Sequence, residues 1–245
     1  MPSLEQYNQY GKDLEWILKL KTSPLAVKML EKEEDIPEGA IRPKRDWGNH
    51  LAQCQTFGLS RRNGETIAML KEDNWCPGPL MTYGLVKMEE EPERPRRFDS
   101  FEYGKYVGIV TAPLLKANYK PDLVLVYSNT AQLRSMLLSL TEEDQAATDT
   151  AMFSWSCYNS IVKPMLTGNY YIVMPDQGEY ERALGTDDEM MFSIPAARFG
   201  GFMENFIKAQ DGMWGHAKIQ PALRPDFPQP DIYKNVFKQW GLDTD

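Results

Sequence analysis

The sequence predicts an α/β (or α+β) fold: a mixed β-sheet with packed helices, in a single compact domain over residues 1–245. Three observations point there. Short apolar runs of strand length alternate with stretches of helical periodicity. Turn signals separate them, as at Asn63-Gly64 and Thr167-Gly168-Asn169. The composition, 42% hydrophobic and 25% charged, is that of an ordinary globular chain long enough to bury a core.

Residues 4–20 carry apolar positions at Leu4, Tyr7, Leu14, Ile17 and Leu18, the spacing of an amphipathic helix despite Gly11. Thr22-Ser23-Pro24 ends it, and residues 24–30 read as a buried strand. Charge and proline over 32–48 predict a loop. A helix is expected around His50–Leu59, with Cys54 on it, then a strand over Glu65–Leu70. Trp75 to Pro79 reads as a loop leading into a short helix over Leu80–Val86. Residues 87–100 are a charged excursion. Strands are expected at Lys105–Leu115, Asp122–Ser128, Tyr170–Met174 and Met191–Pro195. Thr130–Leu140 is a helix with Asn129 as its cap. Residues 149–166 read as a helix carrying Cys157, residues 175–188 as a polar loop, and Ala196–Ile207 as a helix. An aromatic, proline-rich tail over 210–245 is expected to wrap the surface and end in a short helix.

The two halves share an order of features, which predicts an internal repeat over 24–115 and 120–207. Each reads strand, cysteine-bearing helix, glycine turn, strand, loop, and a strand ending in proline. Cys54 and Cys157 lie 103 residues apart, and Gly64 and Gly168 lie 104 apart. Two such units would pack about a pseudo-two-fold axis, with a site where they meet.

Several function classes are excluded. No G-x-S-x-G, G-x-x-x-x-G-K-[ST] or G-x-G-x-x-G is present, which sets aside the usual serine hydrolase and nucleotide loops. The formal charge of −8 argues against nucleic acid as a partner. The longest apolar runs fall short of the roughly 18 residues a membrane span needs. Three cysteines are no disulfide framework, and with no secretory signal visible the expected location is the cytoplasm.

Chemistry then rests on a few residues. Cys54, Cys76 and Cys157 could ligate three irons of a cubane iron–sulfur cluster, leaving one iron open. They could instead hold zinc with His50, one helical turn before Cys54. Cys76, ahead of Pro77-Gly78 and a helix start, is the candidate reactive thiol. His216, in an aromatic segment, is a candidate catalytic partner over a pocket. Arg42, Lys44 and Arg45, the Arg61-Arg62 pair, and Asp187-Asp188-Glu189 read as solvated groups. The 13 Met with 6 Trp, 12 Tyr and 10 Phe could line an apolar pocket, although such residues are normally core.

These motifs resemble one family. The Cys54-Gln55 helix, the Cys76-Pro77-Gly78 loop, the turn from Val126 to Gln132, the Cys157 helix, Thr167-Gly168-Asn169, and the segment from Asp187 to Pro195 together look like the bacterial and archaeal domain-of-unknown-function family 169. The resemblance covers roughly residues 10–207. It implies a further cysteine, in many members, in the loop matching Pro175–Gly178; this chain has none there. It brings no assigned chemistry. The functional expectation is a cytoplasmic cofactor- or metal-dependent protein, leaning to an enzyme. Its site would be Cys54, Cys76 and Cys157, doing redox or Lewis-acid chemistry on a small organic acid or aromatic compound. The alternatives are a metal-free enzyme holding a carboxylate substrate and a non-catalytic small-molecule-binding protein. The aromatic tail would also suit a homodimer.

Overall fold

Most strands are apolar at nearly every position, so both faces of the sheet must be covered. The computed structural model, which describes residues 1–88, 98–151, 155–210 and 231–242, shows how this is done. Strands β1 (Leu25–Leu30), β2 (Ile67–Leu70), β3 (Gly108–Pro113), β4 (Leu123–Ser128), β5 (Thr148–Ala151), β6 (Tyr170–Val173) and β7 (Met190–Pro195) form one mixed sheet. Its order is β2-β3-β1-β4-β7-β6-β5. All pairings are antiparallel except that of β5 with β6.

Successive side chains on a strand point to opposite faces. Ala26, Val124, Val126, Phe192 and Ile194 therefore face one layer of helices, while Leu25, Val27, Leu123, Leu125 and Met191 face the other. The first layer holds α1 (Leu4–Leu18), α5 (Thr130–Leu137) and α9 (Ala196–Gln210). Ser3 caps α1, accepting from the Gln6 amide, and Asn129 caps α5 as expected. Gly11 is a requirement of packing: a Cβ there would stand 2.7 Å from the Leu115 amide nitrogen. Phe199, Phe202 and Phe206 of α9 fill the centre of this layer.

The second layer holds α3 (Gln53–Asn63), α4 (Pro77–Thr82), a π-helical turn at Tyr158–Val162 and α7 (Lys163–Thr167). Short helices α2 (Pro43–Trp47) and α8 (Gln177–Ala183) occupy regions read as loops, and α6 (Glu142–Ala146) lies between two expected helices. The helix expected over 149–166 is corrected at its start, because Thr148–Ala151 pairs with β6 as an edge strand. Helix α4 begins at Pro77, earlier than expected, with Cys76 as its N-cap residue. A last helix, α10 (Asp231–Gln239), buries none of its residues.

The sheet reads as two triplets, β2-β3-β1 and β4-β7-β6, joined where Ala26 of β1 pairs with Val124 of β4. Gly64 and Gly168 close the helices ahead of β2 and β6 with left-handed φ angles of 82° and 72°. The triplets are also tied by a buried ion pair. Arg61 on α3 donates to both Glu189 carboxylate oxygens at 2.7 and 3.0 Å, and to Thr22 Oγ1 at 3.2 Å. Its guanidinium lies 3.9 Å over the Tyr127 ring. The sequence reading of Arg61 as solvated is thereby corrected: it is 2% exposed.

Removing one partner of such a pair strands a buried charge. Glu189→Ala is expected to lose about 3–5 kcal/mol in urea unfolding, with the Arg61→Met/Glu189→Leu double variant regaining most of it. A loss below about 1 kcal/mol in the single variant would show that the pair is not holding the triplets together.

Candidate functional site

The chain's three cysteines sit on three separate elements. Cys54 is in the first turn of α3, Cys76 precedes α4, and Cys157 leads into the π-helical turn. All three line one cavity of about 250 Å³, shared with Trp155, Ser156, Asp176 and Arg182. All three are free thiols, Cys54 and Cys157 buried and Cys76 partly exposed.

Local structure explains the convergence. Helices α3 and α8 approach closely because Gly58 meets Ala183; a Cβ on Gly58 would lie 3.2 Å from the Ala183 backbone. The Cys76 amide donates to Asn74 Oδ1 at 2.8 Å, which sets the turn into α4. Pro77 then starts the helix with its φ already fixed. A Cβ built on Gly78 would stand 3.9 Å from Cys76 Sγ and 3.7 Å from the Trp155 indole, so this glycine lies between thiol and ring.

Asp176 stands where the second triplet's counterpart of Cys76 belongs. Each is the N-cap residue of the short helix after its triplet's second strand. The Asp176 carboxylate accepts from the Gly178 and Glu179 amides through Oδ1, at 2.8 and 3.2 Å. It accepts from the Ser156 amide through Oδ2 at 2.8 Å. It thus fastens α8 to the segment that presents Cys157. Arg182, further along α8, lines the same cavity, and its charge lowers the Cys54 thiol against the larger effect of burial. Gly178 makes room for it: a Cβ there would fall 2.2 Å from the Arg182 Nη2.

The electrostatics favour the neutral thiol at Cys54 and Cys157. Burial, with the nearby Glu179 charge, pushes the Cys54 thiol up to about 11. Burial, with the Asp176 charge, holds Cys157 well above the usual thiol range. Beneath the cavity, Tyr127 donates to Glu179 Oε1 at 3.1 Å, and Ser156 Oγ stands 3.5 Å from the same oxygen. Burial raises the Glu179 carboxyl to about 8, against the lowering effect of Arg61. Glu179 Oε2 and Tyr83 Oη are buried without a hydrogen-bond partner among the described residues. After burial, the charges acting most on Tyr83 are those of the three cysteines.

The remaining sequence candidates lie elsewhere. His50 is exposed and outside any helix, because α3 begins only at Gln53, and it does not line the cavity. The reading of His50 as a ligand one turn before Cys54 is corrected accordingly. Among the described residues, no three His, Cys, Asp or Glu side chains are gathered to hold a metal ion. His216 lies outside the described residues. Of the acidic run, Asp188 is an exposed partner of Lys21, while Glu189 belongs to the buried pair with Arg61. Sequence reasoning missed Asp176, Glu179, Arg182 and Trp155. The available signal was the spacing of Gly78 and Gly178, 100 residues apart, each two residues after its cavity-lining cap.

The fold and site define a three-layer α/β protein with a thiol-lined cavity between two similarly ordered triplets. The family profile described as "Uncharacterised ArCR", domain-of-unknown-function family 169, matches residues 13–205, and the chain belongs to this family. Searches of curated proteins and of solved structures returned no match. No described helix is long and apolar enough to cross a membrane.

Two expectations follow. Alkylation at neutral pH should modify Cys76 first, with Cys54 labelling rising about tenfold per pH unit on the way to about 11; equal rates at all three would contradict the burial described. Glu179 offers a stability test. Its folded pKa of about 8 exceeds the unfolded value of 4.5, so the folded state keeps a proton that the unfolded state releases. Stability therefore falls as pH rises between those values, by up to about 1.4 kcal/mol per unit. Urea titrations of Glu179→Gln should show a flatter pH dependence than the unsubstituted protein, and an unchanged slope would count against the buried acid.

Proposed function

We propose that the cavity is a cofactor site in which Cys54, Cys76 and Cys157 hold an iron–sulfur cluster beside a small-molecule pocket. The single observation carrying this reading is that all the sulfhydryl groups of the chain, drawn from three elements, line one cavity. A lone tetrahedral zinc would need its thiolates within roughly 4 Å of one another. The described donors are not gathered in that way. A cluster takes one thiolate per iron and so spreads its ligands wider.

The surroundings support the same guest. Tyr83, its buried hydroxyl without a partner among the described residues, can donate to a sulfide. Arg182 supplies positive charge beside Cys54. Three thiolates leave one iron of a four-iron cluster without a cysteine, and Asp176, at the place equivalent to Cys76, has its oxygens engaged by three amides. When bound, the group would supply electron transfer or a Lewis-acidic iron. The chain's own part is to give up the thiol protons on loading, to orient Cys54 with Arg182, and to keep Glu179 as a neutral acid beneath the site. Free thiols fit a reducing compartment such as the cytoplasm.

A second reading is favoured by one observation: Arg182 faces the same cavity and could grip a carboxylate bidentately without any metal. On that reading the protein binds a small organic acid, with Cys76 as the accessible thiol.

Anaerobic reconstitution with iron and sulfide separates the two. The expected result is a brown protein with about four irons and four sulfides per chain, lost in the Cys54→Ser/Cys76→Ser/Cys157→Ser variant while far-ultraviolet dichroism is retained. A protein that stays colourless and metal-free, yet gains thermal stability from a carboxylate in an Arg182-dependent manner, would reject the cluster in favour of the second reading.

A further inference from the structure

Glu179 is fully buried in the first turn of α8, yet one of its neighbours opens to the thiol cavity. Ser156 lines that cavity, and its hydroxyl stands 3.5 Å from Glu179 Oε1. Asp176 positions both residues. Its Oδ1 accepts from the Glu179 amide at 3.2 Å and its Oδ2 from the Ser156 amide at 2.8 Å. A π-helical turn, a feature frequent at functional sites, begins two residues after Ser156. Behind the carboxyl the way is closed. Tyr127, which donates to Oε1 at 3.1 Å, is buried, and buried Arg61 lies over its ring. Neither side chain sheds a proton near neutral pH. Asp176 and Glu189 act on Glu179 as further charges, and Arg62 feels its charge in turn. On the cavity side, Cys54, Cys157 and Tyr83 feel it too. Among the described residues, Ser156 is thus the link between this acid and the cavity.

We propose that Glu179 and Ser156 form the proton path of this cavity: the buried carboxyl holds a proton, and the serine hydroxyl passes it to a bound guest that gains negative charge. The inference deepens the reading of the cavity as a cofactor or ligand site and rests on that reading for its guest. The step balances. The Ser156 O–H bond breaks as its proton bonds to the guest, and Glu179 gives its own proton to Ser156 Oγ through Oε1. The serine ends unchanged, the guest has gained one proton, and Glu179 is left a carboxylate. The Arg61 charge and the Tyr127 hydrogen bond both favour that ionised form. Burial works the other way and keeps the acid loaded at neutral pH, its pKa raised to about 8. Water entering the cavity reloads it by the same route. A separation of 3.5 Å is long for a hydrogen bond, and such contacts tighten when the reacting charge arrives. The chemistry served is one in which the guest is protonated as it becomes negative, as in the reduction of a bound small molecule, rather than bare electron transfer.

Infrared spectroscopy of the full chain without added iron reads this proton directly, through the carbonyl stretch of the protonated acid. Glu179→Gln assigns the band by its loss. On transfer to heavy water the band shifts as the carboxyl proton exchanges. Ser156→Ala should slow that shift about tenfold or more, because exchange must then wait for local opening of the structure. Ser156→Thr, which keeps the hydroxyl, should restore the rate. Backbone amide exchange in the same spectra should be equal in all three proteins, which sets the path apart from general loosening. An unchanged rate in Ser156→Ala, or a Ser156→Thr rate as slow as that of Ser156→Ala, would overturn the proposal. The outcome is independent of iron and sulfide reconstitution. A colourless protein with fast, Ser156-dependent exchange rejects the cluster and keeps the path, whereas a brown protein with Ser156-independent exchange does the reverse.

Discussion

One buried cation organises the thiol side of the molecule. Arg61 cannot lose its charge, and it lies where water does not reach, so every neighbour must answer it. Glu189 provides the countercharge, Tyr127 the ring face, and Thr22 a hydroxyl acceptor. Arg61 belongs to α3, Thr22 leads into β1, and Glu189 and Tyr127 belong to the second triplet, so this arrangement ties α3 to the second triplet beside α8. Cys54 lies at one end of α3, and Asp176 and Arg182 lie on or next to α8, so the walls of the cavity inherit their spacing from a contact well below it. Glu179 occupies the gap between that contact and the thiols. Burial there raises its carboxyl, and the lowering effect of Arg61, already paired with Glu189, does not offset it, which is why the carboxyl keeps its proton so far up the pH scale.

The strands and the larger helices were legible from sequence because their signals are local. Alternation and β-branched runs gave six of the seven strands, and the cap at Asn129 marked α5 to the residue. What failed was held by distant contacts. The segment Gln177–Ala183 has little apolar periodicity, and it is helical because Asp176 caps it and Gly58 admits Ala183 against α3. Thr148–Ala151 is polar at its exposed positions and becomes a strand only through its parallel partner β6. Arg61 beside Arg62 looks like a solvated pair in one dimension, since the residue that buries it is 128 positions away.

The candidate site was legible in part. The sequence reading expected Cys54, Cys76 and Cys157 to form one ligand set. All three line one cavity, but among the described residues no three such side chains are gathered to hold an ion. The expected histidine partner does not line that cavity, for a physical reason. Leu51 is engaged in a bridge with Asn74, its amide bonded to the Asp73 carbonyl, and this holds the chain extended until Gln53. A residue at position 50 therefore precedes the helix and does not stack below Cys54.

The seam between β1 and β4 is only three residues long, centred on Ala26 opposite Val124. Severed there, either triplet would display a bare hydrophobic margin able to hydrogen-bond along its length. Because the two margins run antiparallel and are similarly apolar, one triplet could zip to a duplicate of itself and rebuild a six-stranded platform around a true dyad. At corresponding places on the two sides of that seam stand a thiol, Cys76, and a carboxylate, Asp176, each at the head of a short helix.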